Sequence, residues 1–265
     1  MENKYYQPLL KWKNNSYFLL DKILNNIPKN FNNYYEPFLG GGAVLPNIKA
    51  NKYYASDIIP NLIKTHIIHK NKTLSLIKQL LHHYKLHSKE YYLQIRKKYN
   101  ENNSTSVECA GYFAYLNRNS YNGSYRVNKK GEYNSSFSGH PFVFDYKEIF
   151  KTGCQLQKLN IEYSVCDYKN INPKQNDFVY FNPPTYTPIK SKHHEVLIKQ
   201  HFLFTPEDFI DLFNLCIKLN KKVYFMIVNE YSDYVFNLFK EFNIKTYDID
   251  YFNFKRKNMI ITNYN

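Results

Sequence analysis

The stretch Tyr180-Phe181-Asn182-Pro183-Pro184-Thr185-Tyr186 ends an apolar run over residues 177–181, and it decides the fold that the sequence predicts. Val179, Tyr180 and Phe181 favour a strand. The two prolines supply no backbone N–H and fix φ, so neither a ladder nor an ordinary helix can continue after Asn182. We therefore expect a buried strand that ends in a stiff loop, at the end of an α/β sheet where ligands bind.

The polar atoms of this loop suit one kind of chemistry. A side-chain oxygen and a backbone oxygen held side by side can accept both hydrogens of an exocyclic amino group. This draws the nitrogen lone pair out of conjugation and directs it towards an electrophile. The alternative interpretation is a proline-capped strand end with a purely structural role, and these seven residues do not decide between the two.

Length, charge and cysteine usage limit the class of protein. The 265 residues carry 36 Lys and Arg against 22 acidic residues, a formal charge of +14. This favours a polyanionic partner, with nucleic acid the first candidate, although A+T-rich codon usage accounts for part of the lysine. The four cysteines lack metal-ligand spacing, which predicts reduced thiols and no metal. With no apolar leader and no apolar run of about 18 residues, we expect an intracellular protein, neither secreted nor membrane-bound.

A glycine triplet, Gly40-Gly41-Gly42, lies between a predicted strand over residues 34–38 and a predicted helix start near Leu45. Glycines permit positive φ and close approach of a ligand, and a helix N-terminus attracts an anionic group. A second predicted strand, residues 52–56, ends in Asp57, where doubly wound nucleotide sites hold ribose hydroxyls. This order of motifs favours a nucleoside-containing cofactor over a plain structural turn.

Residues 74–117 have helical periodicity, and residues 120–139 have the glycine spacing of a hairpin. The hairpin and its approach carry cationic, amide and aromatic side chains: Arg118, Asn119, Tyr121, Asn122, Arg126, Asn128, Lys129 and Lys130. Such a set can neutralise phosphates and contact base edges, which predicts a DNA-binding element. The alternative is a solvated hairpin with ordinary surface charges.

The rest of the chain predicts further sheet and helix. A strand over residues 159–165 leads to Asp167, and Thr205 caps a helix that runs to about Leu219. Other expected elements are a helix over 18–27, a central strand over 222–228, a helix over 231–241, and final strands over 245–252 and 258–262. The predicted architecture is α/β, with a sheet domain over residues 1–73 and 153–265 and a helical and hairpin insertion over residues 74–152.

Together these motifs resemble the Dam-type DNA adenine N6-methyltransferases, with the α-class order of cofactor loop, recognition insertion and catalytic loop. Residues 36–44 are similar to that family's methionine-binding glycine loop almost letter for letter, and Lys11-Trp12 resembles its opening motif. Asp57 matches the ribose-binding segment, and Asp167 lies where the family contacts the cofactor's adenine. The spaced residues of the predicted hairpin, from Tyr115 to Asn134, are the most specific match.

The resemblance implies a Rossmann-like, S-adenosylmethionine-dependent fold that methylates N6 of an adenine flipped out of duplex DNA and leaves S-adenosylhomocysteine. The catalytic residues that it implies are Asn182, Pro183, Pro184, Thr185 and Tyr186. The cofactor-binding residues that it implies are Trp12, Ser16, Glu36, Phe38, Gly40, Gly42, Asp57, Asp167 and Asn182. We expect the glycine turn and the Asn182 loop to border one cavity.

Two positions depart from the family pattern. Thr185 stands where the family has a tyrosine that stacks on the flipped adenine, and Ser16 stands where it has a lysine. Base–aromatic stacking is worth roughly 1–3 kcal/mol, so its loss could cost about ten- to a hundredfold in rate. Tyr186 could supply the ring if the loop shifts by one residue. The alternatives are therefore a catalytically impaired DNA-binding relative or partner subunit, or an RNA adenine methyltransferase.

Overall fold

A computed structural model describes residues 4–13, 15–101, 106–186, 204–251 and 254–265. Asn14 and position 252, the last residue of one predicted strand, lie outside the described residues. The chain forms two compact units. Unit 1 comprises Met1–Tyr17, Gly40–Asn47 and Asp57–Val165, and unit 2 comprises Phe18–Leu39, Ile48–Ser56 and Cys166–Asn265.

The described residues contain seven strands and eight α-helices. The strands are β1 (Tyr34–Glu36), β2 (Tyr53–Asp57), β3 (Ile161–Val165), β4 (Phe178–Phe181), β5 (Tyr224–Glu230), β6 (Asn243–Tyr251) and β7 (Phe254–Thr262). The helices are α1 (Leu20–Leu24), α2 (Pro60–Asn71), α3 (Thr73–Lys85), α4 (Lys89–Glu101), α5 (Ser106–Asn119), α6 (Tyr146–Lys158), α7 (Pro206–Leu219) and α8 (Asp233–Leu238). No described helix has the length and apolar character needed to cross a bilayer.

The sheet of unit 2 has the strand order β2-β1-β4-β5-β7-β6. The first four strands are parallel, and β7 runs antiparallel to both β5 and β6. The chain passes from β1 outwards to β2 on one side and from β4 outwards to β5 on the other. The order therefore reverses between β1 and β4, which is the topological switch point of a doubly wound sheet. The predicted α/β class with a Rossmann-like sheet is confirmed.

The core of unit 2 follows from the two-residue period of the strands. Phe181, Phe225 and Ile227 face a cluster that includes Phe209 and Leu212 of α7, and all five are fully buried. The intervening residues of β4 and β5 are buried on the opposite face, so both strands are almost continuously apolar. This two-sided burial holds the carboxyl end of β4 in place.

Helix α7 begins where the sequence predicts it. The Thr205 hydroxyl accepts the N–H of Asp208 at 3.2 Å, and the Asp208 carboxylate accepts the N–H of Thr205 at 2.9 Å. This reciprocal capping box satisfies two N–H groups that would otherwise lack partners at the start of the helix. The pairing fixes the helix start to within one residue.

Unit 1 is built around α5. Phe113, Ala114 and Tyr115 at its centre are fully buried, and α2, α3 and α4 pack against it. The predicted hairpin follows, with antiparallel bridges that join Ser120 to Phe137 and Val127 to Tyr133. The compact units place α2, α6 and β3 together with this insertion, so they divide the chain at different positions from the predicted boundary at residues 74–152.

The structure corrects the expectation of a helix after the glycines. Only a single 3-10 turn, Leu45–Asn47, follows them before β2. Pro46 lacks an N–H and disfavours helical geometry at the residue before it. The Asn47 side chain instead donates to the carbonyls of Ala43 (3.0 Å) and Tyr6 (3.1 Å), which replaces the bonds of a longer helix. The first predicted helix, over residues 18–27, is also shorter: a 3-10 turn over Ser16–Leu19 precedes the five-residue α1.

Candidate active site

The carboxyl ends of β1 and β4 lie side by side in unit 2, since Tyr34 pairs with Phe178 and Tyr35 with Val179. Phe38 follows β1, and its ring centroid lies 6.4 Å from that of Phe181, the last residue of β4.

The turn after β3 also packs against Phe38. The Phe38 ring stacks on Tyr168 at 5.0 Å, and Tyr168 follows Asp167 directly. One Asp167 oxygen accepts the N–H of Lys169 at 2.8 Å, which orients that carboxylate. The switch point of unit 2 thus brings Phe38 against Phe181 and Tyr168, which are the sequence neighbours of the predicted site positions Asn182 and Asp167.

The Asn182 corner is held from the neighbouring strand. Asn182 is half-buried and Pro183 is buried. The Asn229 side chain, on β5, donates through Nδ2 to the Pro183 carbonyl at 3.1 Å and, more weakly, to the Pro184 carbonyl at 3.5 Å. The Pro183 carbonyl therefore has one donor, and a carbonyl oxygen has two lone pairs. The Pro183 oxygen retains acceptor capacity for a second partner.

The aromatic residue of the loop has its own partners. The Tyr186 ring stacks on Tyr234 of α8, with centroids 4.7 Å apart and planes 15° apart, and meets Phe209 edge-on at 6.0 Å. Tyr186 also forms a parallel bridge with Phe204. One face of the Tyr186 ring is therefore covered from within unit 2. Thr185, the preceding residue, is half-buried.

Glu36 lies at the end of β1 and is only 2% exposed. It accepts a hydrogen bond from the hydroxyl of Tyr34 at 2.9 Å. Burial, and then the Glu36 carboxylate, raise the pKa of Tyr34 well above its ordinary value, so this phenol stays protonated and donates. Glu36 is thus a buried, paired carboxylate at the switch point.

The glycine turn belongs to unit 1. Gly40 has φ +47° and Gly42 has φ +68°, which is the left-handed region that favours glycine. A Cβ on Gly40 would lie 2.7 Å from Cδ1 of Trp12, and one on Gly42 would lie 2.8 Å from Cε1 of His66. The glycines are therefore required for packing of Trp12 and His66 against the turn. The sequence predicted positive φ and the approach of a ligand, but not this packing.

Asp57 and His66 fix the same turn. The Asp57 carboxylate accepts the N–H of Gly40 at 3.0 Å and that of Ile59 at 3.2 Å. Burial raises the pKa of Asp57 to about 6, and these hydrogen bonds oppose the rise. The carbonyl of Gly40 lies 2.8 Å from Nε2 of His66, and burial lowers the pKa of His66 to about 4. The neutral ring thus donates to Gly40, while the Asp57 carboxylate, with roughly four lone-pair positions, keeps acceptor capacity for another partner.

The opening segment of unit 1 is tied to the insertion. Asn117, on α5, accepts the N–H of Lys11 at 2.8 Å and donates to the Lys11 carbonyl at 3.0 Å. Trp12 is half-buried, and its ring stacks on Tyr125 of the hairpin with centroids 6.0 Å apart. Ser16, where the family pattern has lysine, is 3% exposed. Trp12 therefore lies between the glycine turn and the hairpin.

The predicted DNA-binding residues fall into two groups. Three of them bond to nearby backbone groups: Asn119 is 2% exposed and donates to the Tyr115 carbonyl, the half-buried Arg118 donates to the Leu9 carbonyl at 2.8 Å, and the half-buried Asn128 accepts the N–H of Glu132 at 3.0 Å at the hairpin tip. The other five are exposed: Tyr121, Asn122, Arg126, Lys129 and Lys130. Burial lowers the pKa of Arg118, which is paired with carbonyls in the described structure. The exposed five remain available to a polyanion.

Sequence reasoning missed Asn229 and His66. The only signal for Asn229 was an amide directly after the most apolar predicted strand, residues 222–228. The signal for His66 was a histidine between the apolar residues Ile63 and Ile67. Both act on loops that are distant in sequence, Pro183 and Gly40 respectively, so spacing alone could not reveal their partners.

Comparison with known proteins gives this site its context. The family model for the D12 class of N6 adenine-specific DNA methyltransferases matches residues 16–251. The chain belongs to this family. The type II methyltransferase M1.LlaDCHI of Lactococcus lactis is 31% identical over 246 residues, which cover 90% of this chain and 86% of that protein. M.MjaIII of Methanocaldococcus jannaschii is 33% identical over 263 residues, or 90% of each chain.

A more distant relative of this D12-class methyltransferase is the DNA adenine methylase of Escherichia coli K12, 31% identical over 189 residues that cover 69% of this chain and 66% of that protein. Among solved structures, the METTL16 methyltransferase domain aligns with a TM-score of 0.40 at 9% identity, over 94% of this chain and 80% of that chain. The family assignment makes the protein an enzyme that methylates adenine N6 in DNA. It favours this activity over the RNA alternative.

Proposed function

We propose that this D12-class enzyme transfers a methyl group from S-adenosylmethionine to N6 of an adenine flipped out of duplex DNA, with Asn182 and the Pro183 carbonyl as the acceptors of the amino group. The observation that carries the proposal is the corner after β4. An amide side chain and a carbonyl follow a buried strand at the switch point of the sheet, and Asn229 holds that carbonyl. The family's reaction at an exocyclic amino group needs such a pair of acceptors.

Single residues suit separate parts of S-adenosylmethionine. Asp57 in unit 1 has lone pairs left to accept ribose hydroxyls. Phe38 in unit 2 is half-buried and stacked on Tyr168, which offers an apolar surface for the adenine, and Asp167 adjoins it with a carboxylate oriented by Lys169.

Two of the remaining expected cofactor residues shape the turn that would receive the methionine part. Trp12 packs against Gly40, and Gly42 has the positive φ that keeps the turn tight. Ser16 and Glu36 are almost fully buried, at 3% and 2% exposure. We assign them a supporting role in the same proposal.

The acceptors act by orientation. The Asn182 side-chain oxygen and the free lone pair of the Pro183 oxygen would take one N6 hydrogen each, which turns the nitrogen lone pair out of the ring plane. When bound, the cofactor would supply an electrophilic sulfonium methyl group for N6; S-adenosylhomocysteine would be the leaving group, and the proton lost from N6 would pass to water. Positioning and fixed dipoles account for the rate, with no covalent enzyme intermediate.

DNA binding is assigned to the exposed part of the hairpin. Arg126, Lys129 and Lys130 would neutralise phosphates, and Tyr121, which is 60% exposed, would contact the opened duplex. An adenine inside a stacked duplex is hard to reach, so a flipped base is required for the chemistry at N6.

The experiment is Asn182→Ala, with Asn182→Asp as the matched control that keeps an acceptor oxygen. We expect Asn182→Ala to lower the rate of labelled-methyl transfer by about 10²–10³, as for the loss of one oriented catalytic hydrogen bond. The dissociation constant for S-adenosylmethionine should stay within several-fold, and Asn182→Asp should retain activity. Equal losses of transfer and of cofactor binding in Asn182→Ala would count against this role.

A second candidate function is a DNA-binding relative with impaired turnover. The observation that favours it is the stack between Tyr186 and Tyr234, which covers one face of the only aromatic ring in the loop after Pro184 that the structure describes. Thr185 cannot replace that ring on a flipped base. Methyl transfer by the unaltered protein on adenine-containing duplex DNA decides between the two functions.

A further inference from the structure

Asn229 is a polar residue at a position that the sheet reserves for apolar side chains. Phe225 and Ile227, four and two residues earlier on β5, face the buried cluster under the sheet. The two-residue period puts Asn229 on the same face, and it is only 4% exposed. A buried amide here costs stability unless its polar atoms are bonded.

The strand register explains which loop Asn229 reaches. Phe181 on β4 pairs with Ile227 on β5 in parallel register. An extension of this register by two residues sets position 183 beside position 229. The observed bond from Nδ2 of Asn229 to the Pro183 carbonyl, at 3.1 Å, occupies this place, where a proline has ended the ladder. The Asn229 side chain thus adds one more hydrogen bond between β4 and β5 beyond the point where the backbone ladder ends.

The amide of Asn229 has only one useful orientation. It faces two carbonyl oxygens, those of Pro183 and Pro184, and only its NH₂ group can donate to them. Its own Oδ1 is then buried without a hydrogen-bond partner among the described residues. A buried, unpaired acceptor destabilises the fold, so the residue is not explained by stability alone.

We propose that Asn229 is a positioning residue for methyl transfer: it fixes the direction of the Pro183 carbonyl and so leaves one lone pair of that oxygen aimed at the amino group of the target base. This inference rests on the proposed function, because it assigns the Pro183 oxygen a role there. Asn229 acts through Pro183 and touches neither the base nor the cofactor. Without it, the two-proline corner loses its bond to β5 and the acceptor direction is no longer fixed.

The test uses the full-length protein with Asn229→Ala and a control at the other end of the same strand. Asn263 accepts the N–H of Phe225 at 2.8 Å and donates to the Val223 carbonyl at 2.9 Å, so Asn263→Ala also removes a side-chain amide that bridges backbone groups. We expect Asn229→Ala to lower kcat tenfold or more, with cofactor affinity within threefold. Asn263→Ala should lower the melting temperature but keep kcat within threefold.

A second variant separates positioning from a merely structural role. Asn229→Asp has the same shape, but its carboxylate repels the two carbonyls at neutral pH, whereas its protonated form donates to one of them. We expect kcat to fall at least tenfold at pH 8 and to recover partly as the pH is lowered, relative to the unaltered protein. A kcat within threefold of the unaltered protein in Asn229→Ala, or a loss that matches the unfolded fraction, would overturn the proposal.

The positioning claim is also measured without turnover. In ¹⁵N-labelled protein, we expect the side-chain amide protons of Asn229 to exchange slowly with solvent, and the side-chain amide signal of Asn182 to shift in Asn229→Ala but not in Asn263→Ala. An unaltered protein that transfers no methyl group would refute the proposed function alone. An Asn182 signal that is indifferent to residue 229 would refute the positioning of the corner.

Discussion

At the scale of single residues, the loop after β4 has two roles for an aromatic side chain: to pack the loop against the helices of unit 2, and to stack on the target base. Tyr186 is packed against Tyr234 and Phe209, which fastens the loop to α8 and α7. Thr185 holds the preceding position, where the resemblance implies a ring that stacks on the target base. Because Tyr234 covers one face of the Tyr186 ring, the role of Tyr186 in the described structure is to pack the loop.

This arrangement predicts the effect of Thr185→Tyr. A ring at position 185 supplies base stacking worth roughly 1–3 kcal/mol, so we expect kcat/KM for duplex DNA to rise about ten- to a hundredfold. Thr185→Val is the matched control, because it keeps the shape without the ring and should leave kcat/KM within threefold of the unaltered enzyme. Labelled-methyl transfer under subsaturating DNA measures both.

The opposite outcome is equally specific. If Tyr186 already stacks on the base, Thr185→Tyr will bring no gain and Tyr186→Ala will lower kcat/KM by the same ten- to hundredfold. A loss of melting temperature in Tyr186→Ala without further loss of kcat/KM per folded molecule would instead confirm its role in loop packing.

Asn182 and Asp57 could be predicted from sequence as site residues because each follows a strand in a local pattern that carries chemistry. His66 and Asn229 could not. His66 bonds to Gly40, 26 residues away, and Asn229 bonds to Pro183, 46 residues away. Long-range support of a site is set by strand order and helix packing, which composition and spacing do not specify.

At the scale of elements, helices α2 and α3 carry buried histidines that make unit 1 sensitive to acid. Burial lowers the pKa of His66, His69 and His83 to about 4 each, against 6.5 for an exposed ring. Between these values the unfolded chain binds protons that the folded chain does not, so the free energy of unfolding rises with pH. Asp57, with its pKa raised to about 6, has the opposite sign, because its folded form binds the extra proton.

The three histidines outweigh Asp57, so acidification lowers the free energy of unfolding. We expect the free energy of unfolding to rise between about pH 4 and 6.5 by roughly 1–3 kcal/mol per pH unit near pH 5, since each fully shifted group contributes about 1.4 kcal/mol per unit. Urea unfolding at a series of pH values measures this. His69→Gln, which removes one buried ring, should reduce the slope, while the exposed control His140→Gln should not. A slope that His69→Gln leaves unchanged would contradict the assignment.

Among the elements, those with a local sequence signal were predicted. Those in which a proline or a side-chain hydrogen bond competes with the backbone bonds of a helix were not. The capping box at Thr205 fixed the start of α7, and the continuous apolar runs predicted β4 and β5. The helix expected after the glycines was wrong, because Pro46 lacks the N–H that a helix needs and the side chain of Asn47 occupies the Ala43 carbonyl. The position of β7 between β5 and β6, and its antiparallel direction, could not be predicted either, because the apolar pattern of a strand does not specify its neighbours or its direction.

At the scale of the whole molecule, the formal charge of +14 is spread over the chain, but its use on DNA is assigned to the hairpin. Arg126, Lys129 and Lys130 are exposed, whereas the guanidinium of Arg118 is committed to carbonyls inside unit 1. Affinity for DNA should therefore depend on where charge is removed as well as on how much.

The triple variant Arg126→Ala, Lys129→Ala, Lys130→Ala tests this. Each phosphate contact contributes about 0.9 to the slope of log K against log salt, so we expect the slope to fall by up to about three and the affinity to drop most at low salt. The charge-matched control, Lys218→Ala, Lys221→Ala, Lys240→Ala, removes three exposed cations from unit 2 and should change the slope by less than one. Equal slopes in the two variants would mean that total charge, and not the hairpin, governs binding. A lower slope in the hairpin variant alone, with cofactor affinity unchanged, would show that the hairpin contacts the DNA phosphates.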